Sequence, residues 1–499
     1  MAADPQAGGR DEGSSDLDEP LVLGIDLGTS AVKVVAATAL AGVVAAGSAS
    51  YPTFNSLPEQ AEQDPADWSE ALNLAVAHLD RELQLRRPAW RSQVEAIGLA
   101  GQLPTLVCLG ADGPIGRAIT WKDARADRAT AALIDPELRH ALYRQTGMPL
   151  DGRYLGPMFH YHRLSQRAQV TSILSAKDYL AYLLTGERVT DPSTAAGYGV
   201  FDLASGGFSE PLCDLWGIPT RALPAIRSAH SAAGPLTVAA SRLLGLPAGI
   251  PVCVGAADSV CSAFAMSGLE EGVACVTMGS STVIIDAVRE PRLDPNIRYL
   301  LTPHVAPGWY GREMDLLATG TGHQWLSELL GLAPGVLDRR AAESSPGARG
   351  LVFAPYLAGG EQGALWDPTL RGAVSGLTLR HTASDLARAF MEGVCFEIRR
   401  CLEVLAESTP IRRVVVSGHL TDHPSSLQML ADILGRPVQI YPAAAESPAA
   451  LGAALGAFQR TAQSQPARLE RSRSATVMPG RDTEEYRRLY EAYLAATSS

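Results

Sequence analysis

Basic charge is scarce in this chain of 499 residues, and no run of it stands out. Forty-two Lys and Arg face 53 Asp and Glu, for a formal charge of −11. That balance argues against nucleic acid and against an anionic membrane surface as partners. Long apolar runs are also missing. Val34–Ser50 carries no charge, but Gly, Ala, Ser and Thr interrupt it, and it falls short of a membrane span. The seven cysteines (108, 213, 253, 261, 275, 395 and 401) are scattered, odd in number and without CxxC spacing. This argues against a disulfide framework or a zinc site and suits small buried hydrophobes in a reducing, cytoplasmic setting. Met1–Glu19 lacks the basic and apolar regions of a signal peptide and reads as a disordered acidic tail. What is present is an ordinary globular composition, 46% hydrophobic and 19% charged, on a chain long enough for two or more domains.

The stretch around which the chain is organised is Leu21–Ser30. An apolar run meets a carboxylate, Asp26, then Gly28-Thr29-Ser30, and a second apolar run follows at Val32–Ala37. The pattern predicts two strands with a tight polar turn. The glycine permits close backbone approach, and the hydroxyls and turn amides suit phosphate oxygens. Asp26 is placed to hold Mg²⁺ directly or through water. An ordinary hairpin with a polar tip is the alternative. A second copy of the pattern occurs at Val273–Ile285, where Gly279-Ser280-Ser281 is the turn. The correspondence suggests two related domains, each offering one phosphate loop, with a nucleotide between them.

Taken in order, strands are expected at 32–38 and 42–50. A helix follows, with Asp64 as N-cap, Pro65 in the first turn, and Trp68, Leu72, Ala75, Val76 and Leu79 on one face. Val94–Ala100 reads as a buried strand ending in the loop Gly101–Thr105, and Leu106–Trp121 as a hairpin. The order strand-strand-strand-helix-strand is that of a ribonuclease-H-like or actin-like domain. Ser172–Leu184 reads as one helix and Asp191–Phe201 as a polar loop. Ile250–Val254 is strand-like and opens into a small-residue helix, with Asp258 at the junction. Ala318–Gly322 leads into a helix through Trp325. Leu351–Leu357 reads as a strand before a glycine-rich loop at 359–363. Thr382 and Asp385 form a capping pair before a long helix. Val414–Ser417 is a buried strand ending at Gly418, and 447–459 is an Ala-rich helix. Ser464–Ser474 reads as a linker. Thr483–Leu494 is a docking helix with a stripe of Tyr486, Tyr490 and Tyr493.

Many of these stretches carry a resemblance. GIDLGTSAVK (24–33), EQDPADW (62–68), AITWKDAR (118–125), AKDYLAYLLTGE (176–187), GAADS (255–259), TMGSS (277–281), QMLADILGRPV (428–438) and ESPAALGAALGA (446–457) occur in the order found in the FGGY carbohydrate kinases. The span 20–495 resembles that family, and within it the xylulokinase branch. The resemblance implies an α/β fold of two ribonuclease-H-like (actin-like ATPase) domains flanking a central cleft. Residues 20–260 would form the sugar-binding domain and 261–463 the nucleotide-binding domain, with a linker and docking helix at 464–499.

By the same resemblance Asp258 matches the catalytic carboxylate and Asp26 the acid associated with Mg²⁺. Gly28, Thr29, Ser30, Gly279, Ser280 and Ser281 match the phosphate turns. Gly320, Gln324 and Gly418 match residues near ATP, and Gln102, Leu103 and Pro104, with Asp258 and Ser259, the sugar contacts. A small-molecule sugar is the implied partner, and a homodimer is an open expectation. Asp258, if exposed, would be ionised near its reference pKa of about 3.9 and act as general base without further tuning.

The chain also departs from the pattern. Leu103-Pro104 stand where relatives usually carry Met-His, and neither offers a side-chain hydrogen bond to a sugar hydroxyl. Ser417–His423 replaces a glycine-rich adenosine loop. Three expectations stay open: a kinase of a sugar (a pentulose favoured, with other sugars, polyols or sugar acids as alternatives), a degenerate sensor without turnover, and a non-sugar ATPase.

Overall fold

Seven consecutive buried residues, Leu21–Leu27 (β1), form the middle of the first sheet. The computed structural model describes residues 19–39, 42–57, 59–163, 169–333, 335–358, 362–367, 369–441, 447–461 and 475–497. β1 pairs antiparallel with Ala31–Thr38 (β2), and β2 with Gly42–Ser50 (β3), which is the expected meander. Pro65–Leu83 (α1) follows. Asp64 caps it by accepting from the Ala66 amide at 2.9 Å, and the predicted apolar face is buried. Val94–Gly101 (β4) lies parallel to β1 on its other side.

Two segments differ from the sequence pattern. The single helix expected over Ser172–Leu184 is a strand, Ser172–Leu174, followed by the helix Ala176–Thr185 (α2). Ser175 divides them, because it forms a capping box with Asp178 and so starts the helix. The expected polar loop Asp191–Phe201 is almost wholly buried and contains the short helix Pro192–Ala196 (α3). Its polar groups satisfy one another; Asp191 accepts from the Ser193 amide at 2.9 Å and from Thr194 Oγ1 at 2.6 Å. Ala232–Pro235 (β5) and Pro251–Cys253 (β6) complete the first sheet, whose order is β5-β6-β4-β1-β2-β3, with a short bridge at Ala256–Ala257.

The helix Asp258–Ser267 (α4) leads to a second sheet. Its strands are Val273–Met278 (β7), Thr282–Val288 (β8), Leu300–Pro303 (β9) and Tyr310–Leu316 (β10). The helices Gly320–Leu329 (α5) and Ala383–Ala406 (α6) follow, α6 starting at the expected Thr382–Asp385 capping box. Arg413–Gly418 (β11), Val438–Ile440 (β12), the helix Pro448–Thr461 (α7) and Thr476–Val477 (β13) come next. The order is β9-β10-β8-β7-β11-β12-β13. β7 pairs antiparallel with β8 and parallel with β11, just as β1 does with β2 and β4. The last helix, Thr483–Thr497 (α8), buries Tyr486, Tyr490 and Tyr493 against the second core. The strand expected at Leu351–Leu357 is limited to Val352–Ala354, ahead of Pro355, which cannot donate to a ladder.

The two halves are joined by crossed helices. α4 packs on β7 and β8, whereas α7, which follows the second sheet in the chain, lies on β4 and β1 of the first. Glycine makes that contact possible. A Cβ at Gly24 would lie 1.8 Å from the Ala450 carbonyl oxygen, and one at Gly98 1.9 Å from that of Ala453. All seven cysteines are buried and none forms a disulfide, as expected. No helix among the described residues is long and apolar enough to cross a membrane. The expected tail (1–18 of it), the linker at 464–474 and positions 359–361 of the glycine-rich loop lie outside the described residues.

Candidate functional site

The turn after β1 is held from several sides. The Gly28 amide donates to the Ala31 carbonyl at 3.1 Å. The Tyr51 hydroxyl donates to the Gly28 carbonyl. Gln63 Nε2 donates to the Thr29 carbonyl at 2.8 Å, and Trp121 Nε1 to Thr29 Oγ1 at 3.2 Å. Ser30 is exposed at the turn. Gln102, expected at the sugar, is instead buried behind this turn: its Nε2 donates to Gln63 Oε1 at 2.8 Å. It braces Thr29 through Gln63. Asp26 is buried beside the turn, with Oδ2 accepting from Ser447 Oγ at 2.8 Å. Its Oδ1 has no hydrogen-bond partner among the described residues. Burial raises the pKa of Asp26, and Lys33 and Ser447 pull it back down.

Asp258 is positioned by a buried polar chain beneath it. Lys177 Nζ lies 2.9 Å from Asp178 and 3.2 Å from Asp191, and donates to the Val254 carbonyl at 3.0 Å. Ser193 Oγ donates to Asp191 and accepts from the Ala257 amide at 3.0 Å. The strand end that presents Asp258 is thereby tied to α2 and α3. Its Oδ1 accepts from the Ser259 amide at 2.9 Å. The expectation of an exposed, ordinary carboxylate is overturned. Asp258 sits in the cleft, and burial pushes its pKa up to about 8, with the charges of Asp26 and Asp315 adding to the effect.

The second turn is closed by the Gly279 amide, which donates to the Ser281 carbonyl at 2.8 Å. Its outer side meets the start of α5: the Thr321 amide and hydroxyl donate to the Ser280 carbonyl at 3.1 and 3.2 Å. Only glycine fits at the first residue of that helix, because a Cβ on Gly320 would lie 2.0 Å from the Gly279 carbonyl oxygen. Gly418 ends β11 opposite Met278, so it adjoins the same turn. Gln324 is exposed on α5, one turn beyond Gly320, and donates to Glu328 at 2.9 Å.

Thr29, Leu103, Pro104, Asp258, Ser259 and Ser281 line one cavity between the two sheets. The two turns and the acid therefore face a common space. Three charged wall residues were not anticipated: Arg153, Glu313 and Asp315. A signal for two of them was present, since acids at alternate positions of the strand Tyr310–Leu316 must share a face. Ser259 Oγ donates to Glu313 Oε2 at 2.8 Å. Burial raises the pKa of Glu313 well above the carboxylate range, with Asp315 adding to it; burial also raises Asp315, to about 7, and Arg153 eases it.

Comparison with known proteins follows the same division of the chain. Residues 21–265 match the N-terminal domain model of the FGGY family of carbohydrate kinases, and residues 274–459 the C-terminal domain model. The chain is 28% identical to a xylulose kinase of Lactococcus lactis over 83% of its own length and 82% of the relative's. It is also 28% identical to a gluconokinase of Bacillus subtilis, over 87% and 86%. The crystal structure of xylulose kinase from Rhodospirillum rubrum superposes with a TM-score of 0.83 at 30% identity, covering 96% of this chain and 98% of that one. The fold is the actin-like ATPase fold of sugar kinases. On both halves of its sequence, the chain belongs to the FGGY family of carbohydrate kinases, phosphotransferases that act on a sugar.

Proposed function

We propose that this chain transfers the terminal phosphoryl group of ATP to a hydroxyl of a pentulose-like sugar, with Asp258 as general base. The observation that carries this reading is the single cavity onto which Thr29, Asp258 and Ser281 all open. The residues suit the donor. The orphaned, buried Oδ1 of Asp26 would be satisfied by Mg²⁺ or its water. The second turn, where Gly320 leaves room for the backbone, would take the phosphates. Bound Mg²⁺-ATP would supply the phosphoryl group and offset its charge.

The chain's own part is positioning and proton acceptance. Asp258 Oδ1 accepts from the Ser259 amide, which orients the carboxylate in the cavity wall, where it would take the sugar proton. Leu103, Pro104 and Met148 give the cavity an apolar wall that keeps water, the competing acceptor, from the phosphoryl group. The test is ADP release measured with a panel of ketoses, aldoses, polyols and sugar acids. Release that depends on sugar, fastest with a pentulose, is expected. Release independent of sugar, or none with any sugar, overturns the reading.

A further inference from the structure

The cavity wall is unequal in charge. Three carboxylates, Asp258, Glu313 and Asp315, face it, against the single guanidinium of Arg153 among the described residues. That guanidinium is already engaged. Arg153 Nη2 and Nε lie 2.7 and 3.2 Å from Asp151 Oδ2, an oxygen that Gln362 Nε2 also holds at 3.0 Å. Asp315, in contrast, accepts no side-chain hydrogen bond among the described residues, and only one oxygen of Glu313 is taken, by Ser259. The wall thus offers unfilled acceptors and no free cation. Both acids stand on β10 of the second sheet, and they share the cavity with Leu103 and Pro104, which offer no polar side chain.

We infer that Glu313 and Asp315 are specificity-determining residues that accept hydrogen bonds from an uncharged, hydroxyl-rich sugar and exclude aldonic acids. This rests on the reading of the cavity as the sugar site. Hydroxyls donate to carboxylates, and a hydrogen bond to a charged group is stronger than one between neutral partners. A substrate carboxylate would bring a further negative charge among acids that already hinder one another's ionisation. Identity to the xylulose kinase of Lactococcus lactis and to the gluconokinase of Bacillus subtilis is the same, 28%, so likeness to these two does not separate the substrate classes, whereas the acidic lining of the cavity does.

The test is equilibrium binding of D-xylulose and D-xylitol against D-xylonate and D-gluconate, on the wild-type chain and on Glu313→Gln and Asp315→Asn. On the wild type, neutral ligands are expected to bind about 100-fold more tightly than aldonates. Each amide variant keeps the shape and removes an ionisable carboxyl, and should narrow that ratio about five- to tenfold, chiefly by strengthening aldonate binding, with ATP affinity unchanged. Aldonates binding as tightly as the neutral ligands to the wild type, or variants that leave the ratio unmoved, overturn the inference. So does a failure of the neutral ligands to bind. Binding of neutral sugars without any ADP release would sink the kinase reading and leave this inference standing.

Discussion

Gly28–Ser30 and Gly279–Ser281 each close an antiparallel hairpin whose first strand also pairs, in parallel, with a later strand. In both, the glycine amide folds back onto a carbonyl two or three residues on. Their surroundings differ. Two residues before the glycine, the first turn carries the carboxylate of Asp26; the second carries Thr277, whose hydroxyl is spent on Met266 Sδ at 3.5 Å. The first turn is braced by side chains, Tyr51, Gln63 and Trp121. The second is braced by the start of α5, where the helix dipole places partial positive charge. One backbone design has thus been given opposite electrostatic characters, one suited to a cation and the other to an anion, with Asp258 facing the space between.

The most severe break comes from the acid that belongs to neither turn. Asp258→Asn is expected to lower kcat by about 100- to 10,000-fold while ATP affinity, set by the turns, is retained. Near-normal turnover would remove Asp258 from the proton-accepting role. Its raised pKa gives the wild type a pH signature. The carboxyl must be ionised to accept a proton, so kcat/KM should fall about tenfold per unit below its pKa of about 8 and level off above it. A profile flat from pH 6 to 9 would contradict this. The asymmetry of the turns is probed next by a matched pair. Asp26→Asn should raise the Mg²⁺ concentration for half-maximal rate about tenfold or more, whereas Thr277→Ala, at the corresponding place, should leave it unchanged. Equal effects of the two would erase the distinction.

Much of this arrangement was legible in the sequence, and the parts that were not share a cause. Turns, caps and apolar periods are local, so the hairpin at Asp26, the caps at Asp64 and Thr382, and the start of α4 at Asp258 were readable. Gln102 was not, because its role depends on Gln63, 39 residues away in the chain. Nor was the buried set Lys177, Asp178 and Asp191. Charged residues in a row look like a solvated surface until the fold brings partners to them, and a lysine with two carboxylates can then be buried outright. The pKa of Asp258 was misjudged for the same reason: Asp315, one of the groups that raise it, comes from the other sheet. The helix that carries Gln324 was read from its local pattern, whereas the seating of its start on the second turn depends on a contact between Thr321 and Ser280, 41 residues apart.

A smaller effect tests the bracing of the second turn. Gly320→Ala places a methyl group 2.0 Å from the Gly279 carbonyl oxygen, a backbone atom that cannot swing aside as a side chain would. The turn must shift away from α5. Half-saturating ATP should rise about tenfold, with sugar binding unaffected, since the first sheet is untouched. A loss of sugar affinity equal to that of ATP would mean that the two turns are not independently held.

The mildest prediction concerns Ser447, which has no counterpart at the second turn. Its hydroxyl donates to Asp26 Oδ2 at 2.8 Å and accepts from the Ala450 amide at 3.2 Å, so it serves both the first turn and the start of α7. Ser447→Ala removes both bonds, at a cost of about 1–2 kcal/mol of unfolding free energy, readable as a lower urea midpoint. The sign of the second consequence follows from Asp26. The Ser447 bond lowers the Asp26 pKa, so its loss raises that pKa further. A metal ion needs the ionised carboxylate. Half-saturating Mg²⁺ should therefore rise a few-fold, and more so as pH falls, because protons then compete more effectively for the same oxygen. If stability drops but the Mg²⁺ requirement stays fixed across pH, Ser447 acts only as a helix cap, and the electrostatic difference between the two turns owes nothing to it.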